Sequence, residues 1–76
     1  MTPYLNLSLK SGILEYEIGK DYVRIRFKHN DKIYRYFGDK IGEFKLSEMK
    51  RFAMQGSGLG AYINKNRDVY ASASVE

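Results

Sequence analysis

The chain contains no cysteine, and this absence excludes several kinds of site at once. Without thiols it has no disulfide, no thiolate nucleophile and no zinc or iron–sulfur site with sulfur ligands. Its single histidine, His29, cannot supply two imidazoles for a metal site or for an acid–base pair. We therefore expect no metal, no cofactor and no catalytic residue, and a fold that is held together by packing.

Proline and long apolar runs are also scarce. No segment approaches the roughly 20 apolar residues that a membrane-spanning helix needs. The N-terminal sequence MTPYLNLSLK has no basic stretch leading into a long apolar one. We expect a cytoplasmic protein with no membrane association. A chain this short buries only about 60% of its unfolded surface, so residues 1–76 should form one domain.

Aromatic residues, by contrast, are abundant, and positive charge is concentrated. The chain has seven tyrosines and four phenylalanines, enough apolar area for it to fold alone, and a net charge of +4. Residues 22–37 contain five of these rings and five basic residues against one acid. The other residues contain equal numbers of basic and acidic side chains, so this segment carries the whole excess of positive charge.

Apolar and polar residues alternate along the first half of the chain, which is the period of half-buried strands. The alternation predicts strands at residues 5–9, 13–18, 22–28 and 32–37. In the second and third of these strands, the side chains predicted to face the core are Leu14, Tyr16, Ile18, Val23, Ile25 and Phe27.

A first hairpin is predicted at Gly19 and Lys20. A two-residue turn there places Tyr16 opposite Val23 on the core face. It also places Glu15 opposite an arginine on the other face. The agreement of both faces supports this register.

The second hairpin, around residues 29–31, leaves two alternatives open. A two-residue turn at Asn30 and Asp31 places Tyr34 and Tyr36 on the core face, whereas a three-residue turn places Ile33 and Phe37 there. We favour the first, because large aromatic rings are more often buried than exposed.

After Gly42, the spacing of the apolar residues changes from that of a strand to that of a helix. Ser47 is a favourable N-cap, and Met49 and Phe52 have the spacing of a short amphipathic helix that ends before Gly56. A second helix is predicted at about residues 57–66. The ending VYASASV alternates again and forms an edge strand or, at residues 72–76, a frayed tail.

The sequence therefore predicts an α+β fold: a three- to five-stranded antiparallel meander with two short helices packed on one face. The helices should pack through Met49, Phe52, Leu59, Tyr62 and Ile63. The glycine-rich segment at residues 56–60 fits either a phosphate cradle or a turn between the two helices. We favour the turn, because no strand precedes it as a dinucleotide fingerprint requires.

Short motifs in the chain resemble the KTSC domain. They are the central Tyr34-Arg35-Tyr36 and the closing glycine-rich segment, and the resemblance covers about residues 11–71. The matching positions are Tyr34, Tyr36, Gly56, Gly58, Tyr62, Ile63, Asn64 and Tyr70. This family includes small uncharacterised bacterial proteins and domains appended to some lysyl-tRNA synthetases, and the resemblance implies RNA binding. Arg67 departs from the pattern, which has an apolar residue there.

The strongest candidate site is a basic and aromatic sheet face. It comprises Tyr22, Arg24, Arg26, Lys28, Lys32, Arg35 and Phe37. Cationic groups attract phosphates, and an exposed ring stacks on a base with about 1 to 3 kcal/mol. Alternatively, Arg24 and Arg26 pair with Glu15 and its neighbours in an ordinary solvated face, where such pairs contribute about 0 to 1 kcal/mol.

These residues predict a non-catalytic domain that binds RNA or single-stranded nucleic acid. One alternative is a protein-interaction module that pairs with a partner, or with its own copy, through an edge strand at residues 5–9 or 69–75. The other is a small ribonuclease that uses His29 or a glutamate with Arg24 and Arg26. The sequence does not indicate an oligomeric state.

Overall fold

The computed structural model describes residues 1–7, 11–28 and 32–76. Within them, five antiparallel strands form one sheet in chain order, and four helices connect the fourth strand to the fifth. The strands are β1 (Thr2–Pro3), β2 (Ile13–Ile18), β3 (Tyr22–Phe27), β4 (Ile33–Phe37) and β5 (Ser74–Val75). The helices are α1 (Gly38–Ile41), α2 (Glu43–Gln55), α3 (Leu59–Lys65) and α4 (Arg67–Ser72). The predicted α+β fold is confirmed.

One hydrophobic core joins the helices to the sheet. Its central residues include Val23 and Ile25 from β3, Met49 from α2 and Leu59 from α3. The other buried members are Tyr4, Ile13, Tyr36, Ile41, Leu46, Ala53, Ile63 and Val69. Because the helices contribute to a core on one side of the sheet, the other side is left as an outer face.

The first hairpin turns one residue later than predicted, at Lys20 and Asp21. Gly19 N donates a hydrogen bond to Tyr22 O at 2.9 Å, which closes this turn. Glu17, not Glu15, therefore lies opposite Arg24. The register shifts by two residues, and since side chains alternate with period two, this shift by itself moves no side chain to the other face.

The prediction for Leu14 is wrong. The pairing of β2 with β3 shifts between Ile13 and Glu15, which is a β-bulge. A bulge adds one residue to one strand and reverses the alternation beyond it. Ile13 is therefore buried in the core, and Leu14 is exposed.

The second hairpin brings both tyrosines of β4 to the core side. Tyr36 pairs with Val23, and Tyr34 pairs with Ile25. Both tyrosines therefore lie on the face that the favoured alternative predicts. The alternative that buries Ile33 and Phe37 is wrong. The turn predicted at Asn30 and Asp31 lies outside the described residues.

Helix α2 begins five residues earlier than predicted, since an N-cap at Ser47 would place its first residue at Glu48. It starts at Glu43, so Ser47 is an exposed residue inside the helix and not its N-cap. Leu46 is buried with Met49 and Ala53 on one side of α2. This longer apolar stripe explains the earlier start, because burial against the sheet stabilises the added turn.

The two ends of the chain differ from their predicted strands. In the described part of residues 5–9, Leu5 and Leu7 are exposed, and the first strand is Thr2–Pro3 instead. Leu9 lies outside the described residues. The predicted helix at about 57–66 is confirmed as α3. The segment after it forms α4, in which Val69 is buried, and only Ser74–Val75 is a strand.

Gly42, between α1 and α2, has a backbone conformation that essentially only glycine adopts, with φ 91° and ψ 151°. We expect Gly42→Ala to lower the free energy of unfolding by about 1 to 3 kcal/mol, from backbone strain alone. Crowding plays no part, since nothing lies within 4 Å of the added Cβ. Urea unfolding measures the loss. D-Alanine at position 42, made by chemical synthesis, should recover most of it, and an equal loss with D-alanine would contradict the explanation.

Candidate ligand-binding site

The outer face of the sheet brings together five of the seven predicted binding residues. Its charged and aromatic members, from β2 to β4, are Glu15, Glu17, Tyr22, Arg24, Arg26, Arg35 and Phe37. Alternation along β3 and β4 places the arginines here, opposite the buried Val23, Ile25 and Tyr36. The side chain of Glu76, which follows β5, joins the same face.

Arg24 is held by two carboxylates on this face. Its Nε and Nη2 donate to the two carboxylate oxygens of Glu76 at 2.7 and 2.9 Å, and its Nη1 donates to Glu17 at 3.0 Å. The hydroxyl of Tyr22 donates to the other oxygen of Glu17 at 3.0 Å. The bond from Arg24 lowers the pKa of Glu76, and the bonds from Tyr22 and then Arg24 lower the pKa of Glu17.

The other two arginines also lie beside carboxylates. Arg26 Nε is 2.9 Å from Glu15, which is the pairing that the solvated-face alternative predicts. Arg35 Nε lies 3.7 Å from Glu76. Three arginines thus meet three glutamates, and the outer face is electrically balanced. The net charge of +4 belongs to the rest of the chain.

Lys28 and Lys32, the remaining predicted binding residues, stand at one end of the sheet. Lys28 follows β3, and its amide donates to Gly12 O at 2.8 Å. Lys32 precedes β4, and its carbonyl accepts from Phe27 N at 3.3 Å. Both lysines are exposed, and both are bonded through the backbone to residues that line a cavity.

This cavity, the tyrosine cavity, lies between the sheet and helices α3 and α4. Its volume is about 790 Å³. Its aromatic lining consists of Phe27, Tyr34, Tyr36 and Tyr70. The rings of Phe27 and Tyr34 meet edge to face, with centroids 5.2 Å apart. No charged side chain lines the cavity within the described ranges.

Tyr36 gives the tyrosine cavity a buried polar group. The residue is only 2% exposed, and its hydroxyl makes no hydrogen bond to the described part of the chain. Burial raises the pKa of Tyr36, and the neighbouring Tyr34 and Tyr70 raise it further. The hydroxyl therefore stays protonated at neutral pH and can donate a hydrogen bond to a ligand. The exposed amide of Asn64 is a second neutral polar group in the lining.

Six of the eight positions that carry the KTSC resemblance line the tyrosine cavity. They are Tyr34, Tyr36, Gly58, Ile63, Asn64 and Tyr70. The other two have packing roles. Gly56 lies against Leu5, and the ring of Tyr62 packs against Phe52 at 5.3 Å.

The interpretation of residues 56–60 as a turn between helices is confirmed. Gly56 ends α2 with φ 81°, and Gly58 precedes α3 with φ 88°. A Cβ on Gly58 would lie 3.0 Å from the ring of Phe52, so this glycine also allows close packing. The amide of Leu59, at the start of α3, donates to the hydroxyl of Tyr4 at 3.3 Å. That amide is therefore engaged within the fold, as the turn interpretation requires.

The ribonuclease alternative needs a free glutamate beside Arg24 and Arg26, but the two glutamates of β2 are both ion-paired. Glu15 binds Arg26, Glu17 binds Arg24, and His29 lies outside the described residues. In the part of the chain that the structure describes, the acidic residues form no group that could hold a metal ion. None of the described helices combines the length and apolarity needed to cross a bilayer.

Sequence reasoning missed two features of these sites. Tyr70 and Asn64 were identified only through the resemblance. They lie together beside the β4 tyrosines because the chain forms α4, a helix that the alternation of apolar and polar residues did not predict. Glu76 was also missed, because 52 residues separate it from Arg24. No local pattern in the sequence signals such a pair.

Comparisons with known proteins identify no relative of this chain. No protein family, no curated protein and no solved structure matches the chain. The resemblance to the KTSC domain stays a prediction.

Proposed function

We propose that the protein is a non-catalytic module that binds RNA or another single-stranded nucleic acid by accepting an unpaired base in the tyrosine cavity. The observation that carries this proposal is an open, uncharged cavity lined by four aromatic rings. The KTSC resemblance, which implies RNA binding, supports the same function.

The size and lining of the cavity suit a nucleobase. Small-ligand sites typically measure about 300 to 1,000 Å³ and combine apolar walls with a few polar groups. The tyrosine cavity, at about 790 Å³, has this character, with the Tyr36 hydroxyl and the Asn64 amide as its polar groups. A base is neutral, offers a flat face to aromatic rings and carries hydrogen-bonding edges. A charged ligand would lose its hydration there without meeting an opposite charge in the described lining.

Exposed cations near the tyrosine cavity can contact the phosphates that flank the base. Lys28 and Lys32 are bonded through their backbones to residues of the lining. Lys65 follows Asn64 directly, and Arg67 opens α4, the helix that carries Tyr70. These four cations lie outside the balanced outer face. The cavity end of the molecule therefore offers cations for phosphate contacts beside the bound base.

Titration of a fluorescently labelled single-stranded oligonucleotide tests the proposal. Three to four phosphate contacts predict that the logarithm of the affinity falls with the logarithm of salt concentration with a slope of about −2 to −3. A duplex of the same sequence is the control. It should bind more weakly, because a paired base cannot enter the cavity. Undetectable binding at low salt, or equal affinity for the duplex, would contradict the proposal.

The protein-interaction alternative has less support from the sheet. Both outer strands, β1 and β5, contain two residues each. Pro3 in β1 also lacks the amide that a ladder requires. Strand addition needs a longer row of free backbone groups than these edges offer.

A further inference from the structure

On the outer face, the carboxylate of Glu76 lies between two arginines. It accepts two hydrogen bonds from Arg24, at 2.7 and 2.9 Å, and lies 3.7 Å from Nε of Arg35. The paired donors of a guanidinium fit carboxylate and phosphate groups in the same forked geometry. Glu76 thus occupies a position that an external phosphate group would fit.

The segment that carries Glu76 is attached by few contacts. β5 pairs with β4 only at Tyr34 and Arg35, and Glu76 N donates to Ile33 O at 2.9 Å. Val75 is half exposed. A strand with so few backbone bonds and so little buried area opens at a lower free energy than the central strands do.

A groove remains on the outer face around this carboxylate. It measures about 360 Å³ and is lined by Glu17, Tyr22, Arg24, Arg35, Phe37 and Glu76. Glu17 is bonded on one side by Tyr22 and on the other by Arg24 Nη1. Without Glu76, Nε and Nη2 of Arg24 would lose their partners and, with Arg35, would face the groove.

We propose that Arg24 and Arg35 form a second site, for a backbone phosphate of a single-stranded nucleic acid, and that Glu76 is its internal competitor. When β5 separates from β4, the phosphate replaces the carboxylate between the two guanidinium groups. The rings of Tyr22 and Phe37, whose centroids are 6.4 Å apart, then border the bound nucleic-acid strand. This second site rests on the proposed binding of single-stranded nucleic acid, but its lining shares no residue with the tyrosine cavity.

The test compares Glu76→Gln with Glu48→Gln. Both variants gain one unit of positive charge, but Glu48 binds Arg51 on α2, at 3.0 Å, away from the groove. In the oligonucleotide titration, we expect Glu76→Gln to bind at least about fivefold more tightly than Glu48→Gln at low salt. One additional phosphate contact should also make its salt slope steeper by about 0.7. Adding Arg24→Gln to Glu76→Gln should abolish this gain.

Equal affinities and slopes in Glu76→Gln and Glu48→Gln would overturn the inference. So would a gain for inorganic tripolyphosphate without a gain for the oligonucleotide, which would assign the groove to free phosphates. The gain should persist when Tyr70→Ala removes a wall of the tyrosine cavity. Failure of the cavity proposal and failure of the second site are therefore separate results.

Discussion

Replacing Met49 with alanine is expected to remove much of the protein's stability, whereas Met54→Ala should leave it nearly unchanged. Both residues lie on α2, but Met49 is 0% exposed and Met54 is 62% exposed. Truncating a buried methionine costs about 2 to 5 kcal/mol. For 76 residues, the total free energy of unfolding should be about 4 to 11 kcal/mol.

Urea unfolding followed by circular dichroism measures this contrast. Met54→Ala, a matched control on the same helix, should lie within about 0.5 kcal/mol of the wild type. Similar small losses in both variants would mean that α2 does not form the main contact with the sheet.

The largest functional effect is expected from Tyr70→Ala. Tyr70 lines the tyrosine cavity from α4 and is 66% exposed, so its removal should weaken binding without unfolding the protein. The stacking of one base on an aromatic ring contributes about 1 to 3 kcal/mol. At 1.4 kcal/mol per tenfold change, we expect an affinity about 5 to 140 times lower.

Phe44→Ala is the matched control for this variant. Phe44 is also an exposed aromatic residue on a helix, at 76%, but it does not line the cavity. Its replacement should leave oligonucleotide affinity unchanged. If Tyr70→Ala binds as the wild type does while Tyr22→Ala loses affinity, the outer face, and not the tyrosine cavity, receives the bases.

Sequence periodicity predicted the sheet well because it depends on the faces of strands more than on their register. The first hairpin shows this: with the turn at Lys20 and Asp21, residues 15–18 have different partners from those predicted but keep their predicted side. The bulge after Ile13 could not be predicted, since it depends on how β2 packs in the assembled core. The early start of α2 likewise depends on a contact, the burial of Leu46.

The candidate sites were less predictable than the sheet. The sequence located the rings of β4 and the arginines of β3, which are local features. The tyrosine cavity also requires Tyr70, and this residue belongs to a segment whose alternation predicted a strand and which forms α4. The balance of charge on the outer face requires Glu76, which comes from the far end of the described chain.

The short outer strands have a consequence for solubility. A sheet bordered by long, flat strands offers a template on which further chains can stack into fibres. Here β1 and β5 present two residues each, and Pro3 interrupts the row of amides on one border. While β5 stays paired with β4, the three longer strands are screened at both borders, which limits the addition of further chains.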